Sequence, residues 1–442
     1  MKISKYWIAS RLNLIYSIII DLILFIIFFL YYQLFNAGNN IILLNLFFIL
    51  FWLITSYVIG KYHNSDSNIL SNFKQLFFSF INFFIVFCSS YFLFYKFLNF
   101  NFRNGLSENF FIFIQYILTS FFIKFSFNKF IFKNFILFQE WIVLGSNDFY
   151  RACLNLNKKR NLKLTLSTIE EISFKKNNIN KNIVVENLVH FPIHAQEKLL
   201  KLNFSGSNIV SIIKWSEIIF QRIPLNFLSS DHLLDYFSNA NSDRSFQIRL
   251  KRIADILLSI LLIFLTIPLM IIFGLLIYFE DRGPILYFQE RVGKKGVIFK
   301  ICKLRSMHIN AESKGVQWSR RKDSRITTIG RFLRSTRIDE LPQLFSVLKG
   351  DMSLIGPRPE RPEMDLMLEE KIPFYDLRYL VKPGLSGWAQ VNYPYGSSVS
   401  DSEMKLTYDF FYIKNFSFWL DLLIFFKTLR LVFRREGSLP IR

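Results

Sequence analysis

The sequence predicts a membrane α plus α/β chain: a four-helix transmembrane bundle, a small parallel α/β domain, and a second α/β domain with a re-entrant membrane helix and interfacial amphipathic helices. Three observations carry this. The 442 residues are 52% hydrophobic, with 53 Phe and a mean hydropathy of +0.28, above the level of ordinary soluble domains. Four apolar segments crowd the N-terminal part. After Trp141, short β-branched runs alternate with helical stretches.

The four segments are 13–34, 41–59, 73–97 and 110–127, each near the ~20 residues that cross ~30 Å of hydrocarbon. They define a first domain, 1–135. Lys2, Lys5 and Arg11 precede the first segment, Lys124 lies at the end of the fourth, and Lys129 and Lys133 follow it, so the positive-inside rule puts both flanks in the cytoplasm. The first segment has no small-residue cleavage site behind it and reads as a signal anchor. Asp21 lies inside that segment, where a charge is costly, and is expected to make a polar contact within the bundle. A formal net charge of +21 in so apolar a chain marks cytoplasmic-face and headgroup anchoring rather than nucleic-acid binding. Cys88, Cys153 and Cys302 are isolated from one another, which excludes a disulfide framework and a zinc knot.

Trp141-Ile-Val-Leu-Gly145 reads as a buried strand entering a glycine turn, followed by a Lys-rich helix-like stretch. Strands are expected at 162–166, 182–185 and 208–213, with a helix over 195–202. This is a Rossmann-like domain, 136–240. Gly145 stands alone where a dinucleotide fingerprint needs three glycines, which argues against bound NAD.

The third domain, 241–442, begins with Arg249, Lys251 and Arg252 ahead of the apolar run 253–279, interrupted by Asp255 and Pro268. A fifth crossing would place Arg291, Lys294, Lys295, Lys300, Lys303 and Arg305 outside, against the charge rule. Proline at mid-depth removes a backbone hydrogen bond and kinks a helix. A re-entrant helix-break-helix satisfies both facts, with Arg249, Lys251 and Arg252 at the headgroups and Asp255 capping or pairing near them. Helices are expected at 324–335, 340–348 and 402–415, and 416–435 is too charged to span, so it should lie on the inner leaflet.

Asp339 and Glu340 are adjacent carboxylates among Arg331, Arg334, Arg337 and Arg358. At a helix start they point about 100° apart, so one can attack while the other holds a metal. Guanidinium forks suit phosphate oxygens, and Gly356-Pro-Arg-Pro359 is a rigid turn that fixes Arg358. The competing reading is a set of surface salt bridges. The acid pair, the arginines and a re-entrant element together imply a reaction between a soluble phosphorylated donor and a membrane-bound acceptor.

Ordered blocks sharpen this: Lys251-Arg-Ile-Ala-Asp255, Gln289-Glu-Arg-Val-Gly293, Lys303-Leu-Arg-Ser-Met307, Ile338-Asp-Glu-Leu-Pro-Gln-Leu344, the run 348–359, Lys382-Pro-Gly-Leu-Ser-Gly-Trp-Ala-Gln-Val391 and Tyr408-Asp-Phe-Phe-Tyr-Ile413. With them the chain from Lys251 onward resembles the bacterial sugar transferase family, monotopic polyprenyl-phosphate phosphoglycosyl transferases. The preceding part resembles the long members that prime exopolysaccharide, capsule or O-antigen synthesis, and Arg222-Ile-Pro-Leu225 looks like their inter-domain linker.

The resemblance implies a UDP-sugar donor, undecaprenyl phosphate as acceptor, Mg²⁺ bound by Glu340, and Asp339 as a nucleophile that carries the phosphosugar while UMP leaves. Lys303, Arg334 and Arg358 resemble phosphate-binding residues; Arg305, Trp388 and Gln390 are further pocket residues. It suggests glucose or galactose over an acetamido sugar, and a homodimer through the N-terminal half. The chain departs from the family in having Ile267 before Pro268, where Ser is usual, with Thr266 as the substitute partner for the freed backbone groups, and Ser346 where Asn is common. Other readings are an inactive membrane scaffold of polysaccharide export, opposed by the intact acid pair and Arg358, and a transporter, opposed by Asp21 being the only obvious intramembrane charge in the bundle.

Overall fold

The computed structural model describes residues 17–27, 41–59, 81–82, 85–86, 119–120, 123, 140–157, 162–168, 181–186, 191–233, 245–309, 311, 323–393, 396 and 398–434. The chain divides into two compact units, Met1–Ile219 and Phe220–Arg442. The first unit combines the first two expected domains, and the residues following Ile219 belong to the second.

In the first unit, helices α1 (Ser17–Ile27) and α2 (Ile41–Ile59) fall within the first two expected spans. Most of 73–97 and 110–127 lies outside the described residues. Of those that are described, Asn82, Val86 and Ser120 meet α1 and α2: Leu24, Phe25, Trp52 and Val86 form one buried cluster, and Asn82 donates to Ser56 Oγ at 2.7 Å. Asp21 is fully buried and accepts from Ser120 Oγ at 2.6 Å and Trp52 Nε1 at 3.4 Å. It makes the expected polar contact.

The α/β part of this unit is a four-stranded parallel sheet of order β2-β1-β3-β4. Its strands are β1 (Glu140–Leu144), β2 (Lys163–Ser167), β3 (Asn182–Val185) and β4 (Asn208–Ser211), with helices α3 (Asn147–Asn157), α4 (Ile193–Phe204) and α5 (Ile212–Phe220). Leu144, Ile183 and Val185 pack on Leu199 and Leu202 of α4, the continuous apolar strands of a sheet covered by helices. The expected strand 208–213 ends at Ser211, because Ile212 and Ile213 turn their side chains into the core as the start of α5.

The second unit opens on α6 (Ser245–Asp281), 37 residues with Pro268 inside. The expected helix-break-helix is corrected: the helix runs through the proline. Pro268 frees the Phe264 carbonyl, yet Thr266 Oγ1 donates to the Leu262 carbonyl at 2.7 Å, so Thr266 does not supply the expected substitute partner. Both ends of α6 are seated on this unit. Near the start, Lys251 Nζ reaches the Asp421 carboxylate at 2.7 Å and the Ile355 carbonyl at 2.8 Å. Arg252 donates to the Val347 and Leu348 carbonyls at 2.6 and 2.7 Å, and Asp255 accepts from the Leu354 N–H at 3.1 Å. Near the end, Ile277 packs with Leu304 and Leu333, and the Phe273 and Phe332 rings stack at 5.5 Å. Between them Leu257, Phe264, Leu265 and Ile271 are exposed. Lys251 and Arg252 are therefore ties into the protein and not headgroup contacts, while Asp255 makes a pairing of the kind expected.

After α6 come an antiparallel hairpin, β5 (Leu286–Val292) with β6 (Ile298–Leu304), and α7 (Thr328–Thr336). A 3₁₀ segment, Ile338–Gln343, leads into α8 (Leu344–Lys349). The parallel pair β7 (Ser353–Ile355) and β8 (Gly384–Ser386) brackets α9 (Pro362–Lys371) and a second 3₁₀ segment, Tyr375–Leu380. Last are α10 (Trp388–Asn392), α11 (Val399–Lys414) and α12 (Phe418–Arg434). The expected helix 324–335 starts at Thr328, where Thr327 caps it by accepting from Gly330 N–H at 2.9 Å. The Glu280 carboxylate accepts from the next free donors, Thr328 and Ile329 N–H, at 2.9 and 3.2 Å.

Candidate active site

The acid pair lies in a tight turn of chain. Arg337, left-handed at φ 59°, ends α7 and starts the 3₁₀ segment that holds Asp339, Glu340 and Pro342. The expected α-helix over 340–348 is thus 3₁₀ up to Gln343, since Pro342 has no N–H to continue an α-helical ladder. Both carboxylates are about 8% exposed and face a cavity of about 380 Å³. Its other walls are the inner face of the hairpin, where Tyr287 pairs with Lys303, the turn at Arg358, and one side of α11.

The two acids differ in their ties. Arg358 Nη2 reaches Glu340 Oε1 at 2.6 Å, Lys303 Nζ lies 3.8 Å from the same oxygen, and Arg337 Nη1 is 3.5 Å from Oε2. Burial raises the Glu340 pKa, but Arg358, Lys303 and Arg337 together hold it well below the usual carboxylate range. No hydrogen bond or ion pair among the described residues ties the Asp339 carboxylate. Burial, then the charge of Glu340, pushes its pKa up, against the pull of Lys303, Arg334 and Arg337. Burial also brings the Lys303 ammonium down to about 7. The turn carrying Arg358 is held by close backbone approach: a Cβ on Gly384 would overlap the Gly356 nitrogen and one on Gly356 the Lys382 carbonyl oxygen, which accounts for glycine at both positions.

Of the expected pocket residues, Lys303, Arg334, Arg358 and Gln390 line the cavity. Arg305 borders it but is committed elsewhere, bonding Asp281 at the end of α6. It fills the space beside Gly283, where any Cβ would overlap its guanidinium. Trp388 is corrected: it is 1% exposed and lies behind the wall, its indole N–H donating to the Gln221 carbonyl at 3.0 Å. His308 also lines the cavity.

Sequence reasoning missed Arg291, Arg378, Lys405 and Asp409, all at the cavity. Arg291 is largely covered, with a pKa lowered to about 10 by desolvation, and donates to the Pro359 carbonyl at 2.9 Å. Arg378 bonds Tyr375, donates to the Arg358 carbonyl at 2.7 Å, and lies 3.3 Å from Asp409. Burial raises Asp409 to about 6. Arg291 and Asp409 stand inside blocks already noted, so block membership was the available signal; Arg378 and Lys405 stand in none.

Residues 246–435 match the bacterial sugar transferase family. A putative undecaprenyl-phosphate N-acetylgalactosaminyl 1-phosphate transferase of Bacillus subtilis is 51% identical over 129 residues, 29% of this chain and 72% of that protein. The UDP-glucose:undecaprenyl-phosphate glucose-1-phosphate transferase of Caulobacter vibrioides is 42% identical over 180 residues, 40% of this chain and 67% of the relative. The UDP-N-acetylgalactosamine-undecaprenyl-phosphate N-acetylgalactosaminephosphotransferase of Aeromonas hydrophila is 49% identical over 189 residues, 43% of this chain but 45% of the relative. The site sets an acid pair among lysine and arginine side chains, and the chain belongs to the bacterial sugar transferase family. It spans less than half the length of the Aeromonas relative.

Proposed function

We propose that this chain moves a sugar 1-phosphate from a UDP-sugar to undecaprenyl phosphate at the cytoplasmic face of a membrane, a first step in building a surface polysaccharide. The observation that carries this is the asymmetry of the acid pair: Asp339 is buried and untied while Glu340 is held by three cations. An Asp339 oxygen attacks the sugar-proximal phosphorus, the bond to UMP breaks, and UMP departs with the electron pair. An oxygen of undecaprenyl phosphate then attacks the same phosphorus and the carboxylate is released. Arg358, Arg334 and Lys303 hold phosphate oxygens during both displacements.

No group of three His, Cys, Asp or Glu among the described residues could hold a metal unaided. One or two carboxylates suit Mg²⁺, which takes its remaining ligands from phosphates and water. Glu340 would hold it, once the arriving diphosphate draws Arg358 and Lys303 away. The ion would supply charge neutralisation on the diphosphate.

α6 is long and apolar enough to cross a bilayer, but both of its ends sit on one unit. We infer that the exposed apolar middle of α6 sits in the membrane with the helix bent at Pro268, so that both ends stay on the cytoplasmic side, while the N-terminal segments cross it. The homodimer expected from the resemblance belongs to the same proposal.

The test is UMP release by the purified full chain in lipid nanodiscs with undecaprenyl phosphate and a panel of UDP-sugars. UDP-N-acetylgalactosamine belongs in the panel beside UDP-glucose and UDP-galactose, because the 49% and 51% identical relatives carry that sugar in their names. Release is expected with at least one donor, to fall about tenfold or more on EDTA treatment and to return with Mg²⁺. Absence of release with every donor overturns the reading. A pH dependence follows from Lys303, whose pKa of about 7 means that its phosphate-holding charge is present below neutrality and lost above it. The donor kcat/KM is expected to fall as pH rises through about 7. Lys303→Arg, charged throughout, should move that fall to higher pH.

A further inference from the structure

The segment that leads from the first unit into the second is not a loose tether. Gln221, Arg222, Ile223 and Pro224 are all buried, whereas inter-domain linkers are ordinarily exposed and make few contacts. Gln221 is held at φ 56°, a conformation that a non-glycine residue keeps only where its surroundings impose it. Those surroundings are the back of α11. The Ile223 N–H donates to the Thr407 carbonyl at 2.9 Å, and the Arg222 guanidinium lies 2.7 Å from Met404 Sδ. Gln221 accepts from the Trp388 indole at 3.0 Å, and the Trp388 ring stacks on Phe411 at 5.7 Å.

The spacing of these contacts gives them meaning. Met404, Thr407 and Phe411 repeat at three and four residues and share one side of α11. Ser402, Lys405 and Asp409 repeat in the same way, about 180° around the helix at 100° per residue, and line the cavity. α11 is therefore held between the segment on one side and the cavity on the other. Trp388 adds a second route, since Ala389 and Gln390 beside it also line the cavity.

We propose that Gln221–Pro224 is a positioning strap: by bracing α11 and Trp388 from behind, it sets the wall of the cavity that receives the nucleotide sugar. Arg222 and Ile223 are positioning residues that touch no substrate. The inference rests on reading the cavity as the donor site. It makes the exit from the N-terminal half a point at which donor affinity can be adjusted without change to the acid pair.

The test uses the full chain in nanodiscs with Ile223→Ala, Arg222→Met and Arg222→Lys, and two measurements. In UMP release at saturating undecaprenyl phosphate, Ile223→Ala and Arg222→Met are expected to raise the donor KM about fivefold or more with kcat within about twofold, and Arg222→Lys to recover part of the loss. In calorimetry, UDP is expected to bind these two variants about fivefold more weakly than wild type. A fall in kcat with unchanged KM would mean that the strap only keeps the enzyme folded, and overturns the proposal; so does wild-type UDP affinity in both variants. Where Ile223→Ala is too unstable to purify, Arg222→Met, which keeps the aliphatic stem, decides. Wild-type protein that binds UDP but releases no UMP overturns the transferase reading and leaves the binding comparison to judge the strap.

Discussion

Asp339→Asn is expected to lower UMP release at least about 10³-fold while the protein still binds UDP. The amide has the size of the carboxylate but cannot form the bond to phosphorus, so neither displacement proceeds. Because no described side chain is tied to Asp339, the replacement breaks no ion pair. Its pKa is already raised by burial and by Glu340, so losing the charge should leave the fold as stable or more stable. Incubation with radiolabelled UDP-sugar and no acceptor should label the wild-type protein and not the variant. Normal turnover by Asp339→Asn would remove the nucleophile assignment.

Arg378→Met is expected to cost both stability and activity. It leaves the buried Asp409 without its cation and the Arg358 carbonyl without its donor; removing one partner of a buried pair typically costs about 3–5 kcal/mol. Part of that is avoided by protonation, since Asp409 already has a pKa raised to about 6 by burial. Freed from its anchor, the turn at Arg358 should hold phosphate less well, and the donor kcat/KM should fall about 10-fold or more. Denaturant melts and UMP-release kinetics read the two effects. If loss of the pair is the cause, adding Asp409→Leu should recover stability beyond the sum of the single changes; additive losses would mean that the two residues act independently.

The strands and the acid pair were legible because their signals are local. β-branched runs marked β1 to β4, and carboxylates among arginines marked the site. What escaped was tertiary. Pro268 suggested a break, but it costs one hydrogen bond in a helix fastened at both ends, and the helix continues. Lys251 and Arg252 counted as headgroup charges under a rule that sees sign and not partners; the structure gives them Asp421 and the carbonyls ending α8. Trp388 was placed in the pocket from its block, yet a block does not say which side of a wall a residue faces. Arg378 had no sequence signal, since its partners Asp409 and the Arg358 carbonyl are 31 and 20 residues away.

The fastenings of α6 bear on how this protein would answer to its lipid surroundings. Lys251, Arg252 and Asp255 hold one end to three different pieces of chain, and Ile277 and Asp281 hold the other to β6 and α7. A helix pinned in this way cannot slide or tilt independently to match a thinner or thicker bilayer. Hydrophobic mismatch would have to be absorbed by deformation of the lipid around the exposed stretch from Leu257 to Ile272. Asp339 would then keep a constant height above the protein's own apolar belt, and the membrane would adjust to the protein.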